Sequence, residues 1–278
     1  MVITWSQVGG RMNPVFSTIE NATIKARLFL KNRSNIIKKM DYEKKDIYLN
    51  IESWIDLYRL NSCKKEPETV KWIESFREND IFFDVGANIG AYSLVAAKFF
   101  NKKIRVYAFE PAFQNYSQLC KNIITNRCDD CITPLQLALS DETKVDCFNY
   151  VDITPGSAHH TLGEPVLYDD SSFNPCFRQS VLSFCIDDLV SIFKIPRPNH
   201  IKIDVDGYEK QILIGAKNTL TSPDVQTVLV EIDELKKKDH EISALLSEYG
   251  FRLKSRNKYS YEKMDESKYL FCNYIFER

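Results

Sequence analysis

The sequence predicts an α/β fold built on a mostly parallel sheet. An apolar run that begins at Ile81 reaches an acidic residue, Asp84, and then a turn containing Gly86 and Gly90, after which residues 91–97 favour a helix. This order of strand, tight turn and helix is typical of the first βαβ unit of a nucleotide-binding sheet. Strand and helix patterns then alternate along the chain, which favours parallel pairing.

Each further element is predicted from its own pattern. A helix is expected to begin at Pro67, since proline suits the first helical turn. Two late strands, 251–254 and 269–276, have no helix pattern between them and are expected to pair as an antiparallel hairpin at the sheet edge. The remaining strands are predicted at 81–85, 105–109, 132–139, 200–203 and 226–231, and the helices at 67–74, 91–97, 111–126, 208–220 and 236–249.

Acidic residues at two consecutive strand ends indicate which ligand the glycine turn holds. The carboxylate of Asp84 would repel the pyrophosphate of a dinucleotide. S-adenosylmethionine carries a sulfonium and an ammonium group instead, and a carboxylate attracts both. Glu110, at the end of the next strand, suits the two hydroxyls of a ribose. Taken singly, Asp84 suits a helix N-cap and Glu110 a solvated strand end, but the pair favours ligand binding.

Four motifs stand in register between residues 65 and 235. They are Asp-Val-Gly-Ala-Asn-Ile-Gly at 84–90, Phe-Glu-Pro at 109–111, Ala-Leu-Ser-Asp at 138–141 and Ile-Lys-Ile-Asp-Val-Asp-Gly-Tyr-Glu at 201–209. Together they resemble the FkbM family of S-adenosylmethionine-dependent methyltransferases. The resemblance implies a Rossmann-like class I methyltransferase sheet and S-adenosylmethionine as the methyl donor. Asp206 departs from the neutral polar residue that relatives often carry at that position.

The glycine turn is expected to hold the methionine part of the donor. Asn88 stands where a third glycine would be expected, and asparagine tolerates left-handed backbone better than most residues. Asp141, at the tip of the third predicted strand, is placed to accept a hydrogen bond from the adenine amino group, although its carboxylate also suits a turn. The predicted cofactor-binding residues are Asp84, Gly86, Asn88, Gly90, Glu110, Ser140 and Asp141.

Methyl transfer to a hydroxyl needs an aligned acceptor and a group that takes its proton. The catalytic candidates are Asp204, which follows the fourth strand, and His159 and His160, since an imidazole can deprotonate a hydroxyl near neutral pH. Either histidine can equally be a polar loop residue. Asp204, Asp206 and Glu231 also suit a divalent metal, which we do not favour because paired carboxylates at strand ends also cap helices.

Two segments do not fit the alternation of strands and helices. Residues 1–64 are expected to form a cap or docking arm, with a basic helix over 24–40 and a short strand pair within 47–57, ahead of a methyltransferase domain at 65–278. The connection 142–199 is longer than a crossover needs. It follows the carboxyl end of a strand, where open α/β sheets bind ligands, so it is expected to bind the acceptor.

Composition favours an ordinary enzyme. The 278 residues are 44% hydrophobic and 27% charged, enough for one large core with an accessory element. The formal net charge of -1 provides no field that would gather nucleic acid or an anionic membrane. No secretory signal or membrane-spanning run is visible, so a cytoplasmic protein is expected. A homo-oligomer is left open.

Eight cysteines include one close pair, Cys128 and Cys131. A zinc site would need a second pair, or histidines at ligand spacing, so reduced thiols are expected and a redox or metal clip is the alternative.

The leading hypothesis is O-methylation of a small molecule, either a sugar or glycan precursor or a secondary metabolite. The acceptor class comes loosely from the resemblance. Alternatives are an N-methyltransferase, a macromolecule methyltransferase, a nicotinamide-dependent oxidoreductase on a similar fold, and a non-catalytic scaffold.

Overall fold

The structure, a computed structural model, describes residues 22–25, 36–167, 171–258 and 270–278, and for 237–240 the backbone alone. The chain divides into two units, Met1–Ile36 and Ile37–Arg278. In the first unit, residues 22–25 are helical and exposed. The second unit contains the central sheet and the candidate site.

The strands in chain order are β1 Ile36–Lys39, β2 Tyr48–Ile51, β3 Ile81–Val85, β4 Arg105–Phe109, β5 Ile132–Leu135, β6 Ala138–Leu139, β7 Lys144–Tyr150, β8 Thr161–Leu162, β9 Phe177–Phe184, β10 His200–Ile203, β11 Thr227–Asp233, β12 Arg252–Lys258 and β13 Phe271–Glu277. The helices are α1 Trp54–Arg59, α2 Ser62–Lys65, α3 Pro67–Glu74, α4 Ala91–Phe99, α5 Phe113–Asn126, α6 Ile186–Ser191, α7 Glu209–Ile214, α8 Lys217–Leu220 and α9 Lys237–Glu248.

In the described part of the chain, the central sheet has seven strands in the order β12-β13-β11-β10-β3-β4-β5. The five strands from β11 to β5 pair in parallel, and β13 is antiparallel to both β11 and β12. The predicted α/β, mostly parallel sheet is therefore confirmed. The predicted hairpin also forms, but β13 inserts between β11 and β12. The antiparallel strand is therefore interior, and β12 is the edge.

The third predicted strand, 132–139, is wrong in its second half. β5 ends at Leu135, and the amide of Leu137 donates back to the Leu135 carbonyl at 3.1 Å. After this turn, β6 pairs with β9 in a separate sheet. The predicted helix 208–220 is also divided, into α7 and α8. A Cβ on the intervening Gly215 would lie 2.1 Å from the Ser140 carbonyl oxygen, so this glycine allows two backbone segments to touch.

The N-terminal predictions are only partly correct. A basic helix is predicted over 24–40. The structure has a helix at 22–25 and strand β1 at Ile36–Lys39, and residues 26–35 lie outside the described residues. The strand pair predicted within 47–57 is strand β2 followed by helix α1. Ser53 causes this change, because its side chain caps the helix in a capping box with Asp56.

Successive residues of the central strands point to opposite faces of the sheet. Phe82 packs with Leu94 on the face covered by α3, α4 and α5, whereas Phe83 packs with Leu213 on the other face. By the same alternation, Asp84 shares the face of Phe82. The Asp84 carboxylate therefore lies in the core on that face of the sheet, directly before the glycine turn.

The long connection forms a small sheet of its own, in the order β6-β9-β7-β8. Its two strand-like runs are β7 and β9, which pair antiparallel along their whole length. Helix α6 then leads back to β10. Among the described residues, no helix combines the length and the apolar character that crossing a bilayer requires.

Candidate active site

The glycine turn joins the ends of three central strands. Gly86 and Gly90 have φ angles of 78° and 88°, and Asn88 adopts the left-handed region at 51°. The amide of Gly86 donates to the Phe109 carbonyl of β4 at 3.0 Å. A Cβ on Gly86 would lie 1.9 Å from the carbonyl oxygen of Asp204, beyond β10. The turn is therefore a cradle in which only glycine fits at position 86.

Asp84 is buried beneath this turn, with 1% of its surface exposed. The Ser93 hydroxyl donates to its Oδ2 at 2.6 Å, whereas its buried Oδ1 has no hydrogen-bond partner among the described residues. Burial raises the pKa of Asp84, although the nearby charge of Lys202 opposes the shift. A buried carboxylate oxygen without a partner is costly, and a cationic ligand would satisfy it.

Glu110 is also buried and lies beside the same turn. Its Oε2 accepts from the Asn88 amide at 2.8 Å, and its Oε1 accepts from the Ala112 amide at 2.9 Å. Burial raises the pKa of Glu110 to about 7, against the effect of these two amides. Each carboxylate oxygen still has a lone pair free for a further donor, so the pair of ribose hydroxyls predicted there is chemically suitable.

Ser140 and Asp141 do not lie where the sequence predicts them, because the central strand ends at Leu135. The Ser140 hydroxyl donates to Asp141 Oδ1 at 2.9 Å, and the Asp141 side chain is exposed. Neither lines the cleft at the strand ends, and their adenine contact remains a prediction. Sequence reasoning missed the apolar walls of that cleft, although Pro111 stood in the Phe-Glu-Pro motif. The cleft is lined by Val85, Gly86, Phe109, Pro111, Leu137, Ala138, Leu139, Phe148, His160, Leu162, Val205 and Tyr208.

Sequence reasoning also missed Lys202. This lysine is 1% exposed, and its Nζ donates to Oδ2 of the predicted catalytic Asp204 at 2.6 Å. Burial opposes its charge, but the carboxylates of Asp204, Asp84 and Glu66 outweigh burial and raise the pKa of Lys202. The available signal was a lysine between two isoleucines in an otherwise apolar strand, since an unpaired lysine is almost never buried.

His159 and Asp206 form a pair at the surface. His159 Nδ1 lies 3.3 Å from Asp206 Oδ1, and the His159 amide donates to Asp206 Oδ2 at 2.7 Å. The hydrogen bond and charge of Asp206 raise the pKa of His159. Burial of the Asp206 carboxyl opposes its ionisation, but the contacts with His159 outweigh burial and lower the pKa of Asp206. With 67% of its side chain exposed, His159 is accessible to an incoming acceptor.

His160 has the opposite environment, although it is the next residue. It is 7% exposed and its ring contacts those of Phe148 and Tyr150. Its Nε2 lies 3.5 Å from Gln114 Nε2. Burial lowers the pKa of His160 to about 4, so its imidazole is neutral at pH 7 and a weak proton acceptor. His160 is better suited to the wall of the cleft than to general-base catalysis.

The loop that carries both histidines is tied to the glycine turn. The Ser157 carbonyl accepts from Asn88 Nδ2 at 3.1 Å and from Asn115 Nδ2 at 2.9 Å. Helix α1 holds the preceding residues, because Arg59 Nη2 donates to the Gly156 carbonyl at 2.9 Å. These bonds tie the loop that carries His159 to the glycine turn at Asn88, a connection that sequence spacing does not reveal.

A family model described as the methyltransferase FkbM domain matches residues 84–253. The chain belongs to the FkbM methyltransferase family. Among FkbM relatives, the hexuronic acid methyltransferase AglP of Haloferax volcanii is 28% identical over 66% of this chain and 68% of that protein. The 31-O-demethyl-FK506 methyltransferase FkbM of Streptomyces tacrolimicus is 29% identical over 63% of this chain and 74% of that protein.

A solved structure, the complex of aTrm5 and tRNALeu, is similar in fold at 12% identity and a TM-score of 0.50. The match covers 88% of this chain and 53% of that one, so the chain spans about half of the solved chain's length. Together with the strand order, this likeness shows the Rossmann-like class I methyltransferase fold that the resemblance implied.

FkbM family membership implies S-adenosylmethionine as the methyl donor. Two observations fit that molecule: the unpartnered Oδ1 of Asp84 and the free lone pairs of Glu110. The first suits a cationic group, and the second suits a diol. The residues present are therefore compatible with the donor that the family uses.

Asp204, Asp206 and Glu231 are the carboxylates that the sequence offers as a metal site. Among the described residues, no group of three His, Cys, Asp or Glu side chains is arranged to hold a metal ion. Glu231 is 9% exposed, and its burial, together with the charges of Asp204 and Asp206, raises its pKa well above the usual value. Cys128 and Cys131 are buried free thiols.

Proposed function

We propose that this FkbM methyltransferase transfers a methyl group from S-adenosylmethionine to a hydroxyl of a small molecule, with a sugar or glycan precursor as the first acceptor class to test. Its similarity to a hexuronic acid methyltransferase supports a sugar. Its similarity to a 31-O-demethyl-FK506 methyltransferase supports oxygen as the methylated atom and a secondary metabolite as the second acceptor class.

The observation that carries the proposal is the His159–Asp206 pair. A hydroxyl is a poor nucleophile until a base accepts its proton. Because Nδ1 faces Asp206, we assign the proton to Nδ1, which leaves Nε2 as the acceptor of the hydroxyl proton. Methyl transfer would break the carbon–sulfur bond of the donor, whose electron pair would stay on sulfur as S-adenosylhomocysteine. The hydroxyl proton would move to His159 Nε2, and Asp206 would stabilise the resulting imidazolium.

The donor supplies an activated methyl group, so the other residues need only bind, orient and shield. Asp84 faces the cationic part, and Glu110 holds the ribose. Asp204 is engaged by Lys202 at 2.6 Å, which makes it an orienting group rather than the base. His160 closes the apolar wall of the cleft, where it helps to exclude water.

The competing readings are less well supported. FkbM family membership disfavours the nicotinamide-dependent oxidoreductase. A net charge of -1 gives no general attraction for RNA or DNA. N-methylation of a small molecule would use the same base. Only analysis of the product distinguishes it from O-methylation.

The test is methyl transfer from radiolabelled S-adenosylmethionine to a panel of hexuronic acids, neutral hexoses and macrolide hydroxyls. His159→Gln should lower kcat by about 10²- to 10⁴-fold while the affinity for the donor stays within about twofold, because general-base catalysis contributes that range. His160→Gln is the matched control, and it should retain most of the turnover. Full activity of His159→Gln on an acceptor that the wild type methylates would refute the base assignment.

The pH profile sharpens this test. A base works only when deprotonated, so kcat/KM should fall as pH drops through the raised pKa of His159. Asp206→Asn removes the partner that raises this pKa and should move the acidic limb to lower pH. An acidic limb that stays in place in both His159→Gln and Asp206→Asn would assign it to another group.

A further inference from the structure

We infer that Lys202 is the internal counter-cation of the donor site, and that its charge sets how strongly the site distinguishes the sulfonium of S-adenosylmethionine from the neutral thioether of S-adenosylhomocysteine. The inference rests on the proposed donor. It adds a positioning residue that does not itself touch the reacting atoms.

Strand register places Lys202 beside the donor carboxylates. In the parallel pairing of β10 with β3, Lys202 stands directly opposite Asp84, so both side chains emerge on the same face of the sheet. Both are 1% exposed. Lys202 Nζ donates to Asp204 Oδ2 at 2.6 Å, and Asp84 Oδ2 is taken by the Ser93 hydroxyl. The ammonium is therefore paired with Asp204 and shares a sheet face with Asp84, whose charge also acts on it.

A second ion pair completes this buried cluster. Glu66 is 4% exposed and its Oε1 lies 3.0 Å from Lys65 Nζ. Its Oε2 accepts from Asn273 Nδ2 at 3.0 Å. Lys202 also lies 5.2 Å from the ring centre of Tyr92, whose hydroxyl donates to the Ser62 carbonyl. The charges of Asp204 and Glu66 also act on Glu231, whose strongly raised pKa favours its neutral form.

The formal charges of this cluster match the donor. Two ammonium groups, on Lys65 and Lys202, face three carboxylates, on Asp84, Asp204 and Glu66, so the carboxylates exceed the cations by one. S-adenosylmethionine carries a sulfonium, an ammonium and a carboxylate, and hence one net positive charge. S-adenosylhomocysteine has lost the sulfonium and is neutral overall. In a buried site, one unit of charge has a strong effect, so the single excess carboxylate favours donor over product. Lys202 limits this preference, because its charge holds the excess at one.

A structural ion pair would also hold Lys202 in place, so the test must measure charge rather than folding. The readout is the ratio of the affinities for S-adenosylmethionine and S-adenosylhomocysteine, measured by calorimetric titration at pH 7. The two ligands share their adenosine and amino-acid parts, so Glu110 and the apolar cleft contribute equally to both. The variants are Asp84→Asn, Lys202→Met, the double variant that combines them, and Lys202→Arg.

Asp84→Asn leaves two ammonium groups facing two carboxylates. The excess negative charge is then gone, and the ratio should fall about tenfold, the size expected for one charge near a partly screened site. Adding Lys202→Met restores the excess of one carboxylate, and the double variant should return to within about threefold of the wild type. Lys202→Arg keeps the charge and should keep the ratio. Lys202→Met alone leaves two carboxylates in excess and should raise the ratio. The double variant has the net charge of the wild-type cluster, so it remains informative if Lys202→Met alone does not fold, which thermal melting will show.

The inference is overturned if the double variant has the same ratio as Asp84→Asn, or if Lys202→Arg changes the ratio as much as Lys202→Met. Either result would assign Lys202 a purely structural role. A wild type that binds neither ligand would instead refute the proposed function, so the two failures are distinguishable.

Discussion

The donor and acceptor sides of the candidate site are built in different ways. On the donor side, Asp84 and Glu110 are buried at strand ends and held by backbone or hydroxyl contacts. On the acceptor side, His159 is exposed on a loop and held by Asp206. The donor side is thus preorganised by the sheet, whereas the acceptor side depends on a loop that packing brings into place. We expect variants on the donor side to alter folding and cofactor affinity, and variants on the acceptor side to alter turnover.

The largest effect is expected at Gly86, on the donor side, where a substitution should alter folding. Gly86→Ala places a methyl group against the Asp204 carbonyl in a left-handed backbone conformation. We expect a loss of at least about 3 kcal/mol in the free energy of unfolding, or failure to fold, since overpacking and backbone strain add. Chemical denaturation measures this loss.

Gly250→Ala is the matched control. Gly250 also has positive φ, at 90°, but its Cβ would meet only a side-chain nitrogen of Arg278, at 3.4 Å. Its cost should be about 1 kcal/mol, the strain term alone. Equal losses in the two variants would show that the close approach at Gly86 does not contribute.

An intermediate effect is expected for Glu110, as a pH dependence of the free energy of unfolding. Its folded-state pKa of about 7 lies above the ordinary value, so between these two values the folded protein binds more protons than the unfolded chain. Stability should therefore fall as pH rises through this window, by about 3 kcal/mol in total. Glu110→Gln removes the titration, so denaturation curves from pH 4 to 8 should show a smaller fall in the variant. Parallel curves would contradict the raised pKa.

The smallest effect is expected at Asp141. Because its carboxylate is exposed and does not line the cleft, Asp141→Asn should change the dissociation constant of S-adenosylmethionine by less than about threefold, under about 1 kcal/mol. Calorimetric titration measures this change. A loss of tenfold or more would instead restore the adenine contact predicted from the sequence.

The glycine turn and the acidic strand ends lie where the sequence predicts them, because their signals are local, and their role in donor binding stays a prediction. The turn after β3 and the acidic residue after β4 each require only a few neighbouring residues. The break after Leu135 was missed, because it depends on β6 finding a partner in β9, 40 residues or more along the chain. Lys202 was missed for a related reason, since its partner on β3 becomes visible only once the strand register is known.

The acceptor side shows the limit of such reasoning more sharply. His159 and His160 are neighbours in sequence and were given the same role, yet one is exposed beside a carboxylate and the other is buried among aromatic rings. Tertiary packing decides the difference, and with it the direction of each pKa shift.

The most direct test of the central claim is calorimetric titration of the purified wild-type protein with S-adenosylmethionine, S-adenosylhomocysteine and NAD⁺. The account predicts saturable binding of the first two at a single site and none of NAD⁺, whose pyrophosphate would face Asp84. Binding of NAD⁺ alone, or of none of the three, would contradict the assignment of this cleft as a methyl-donor site.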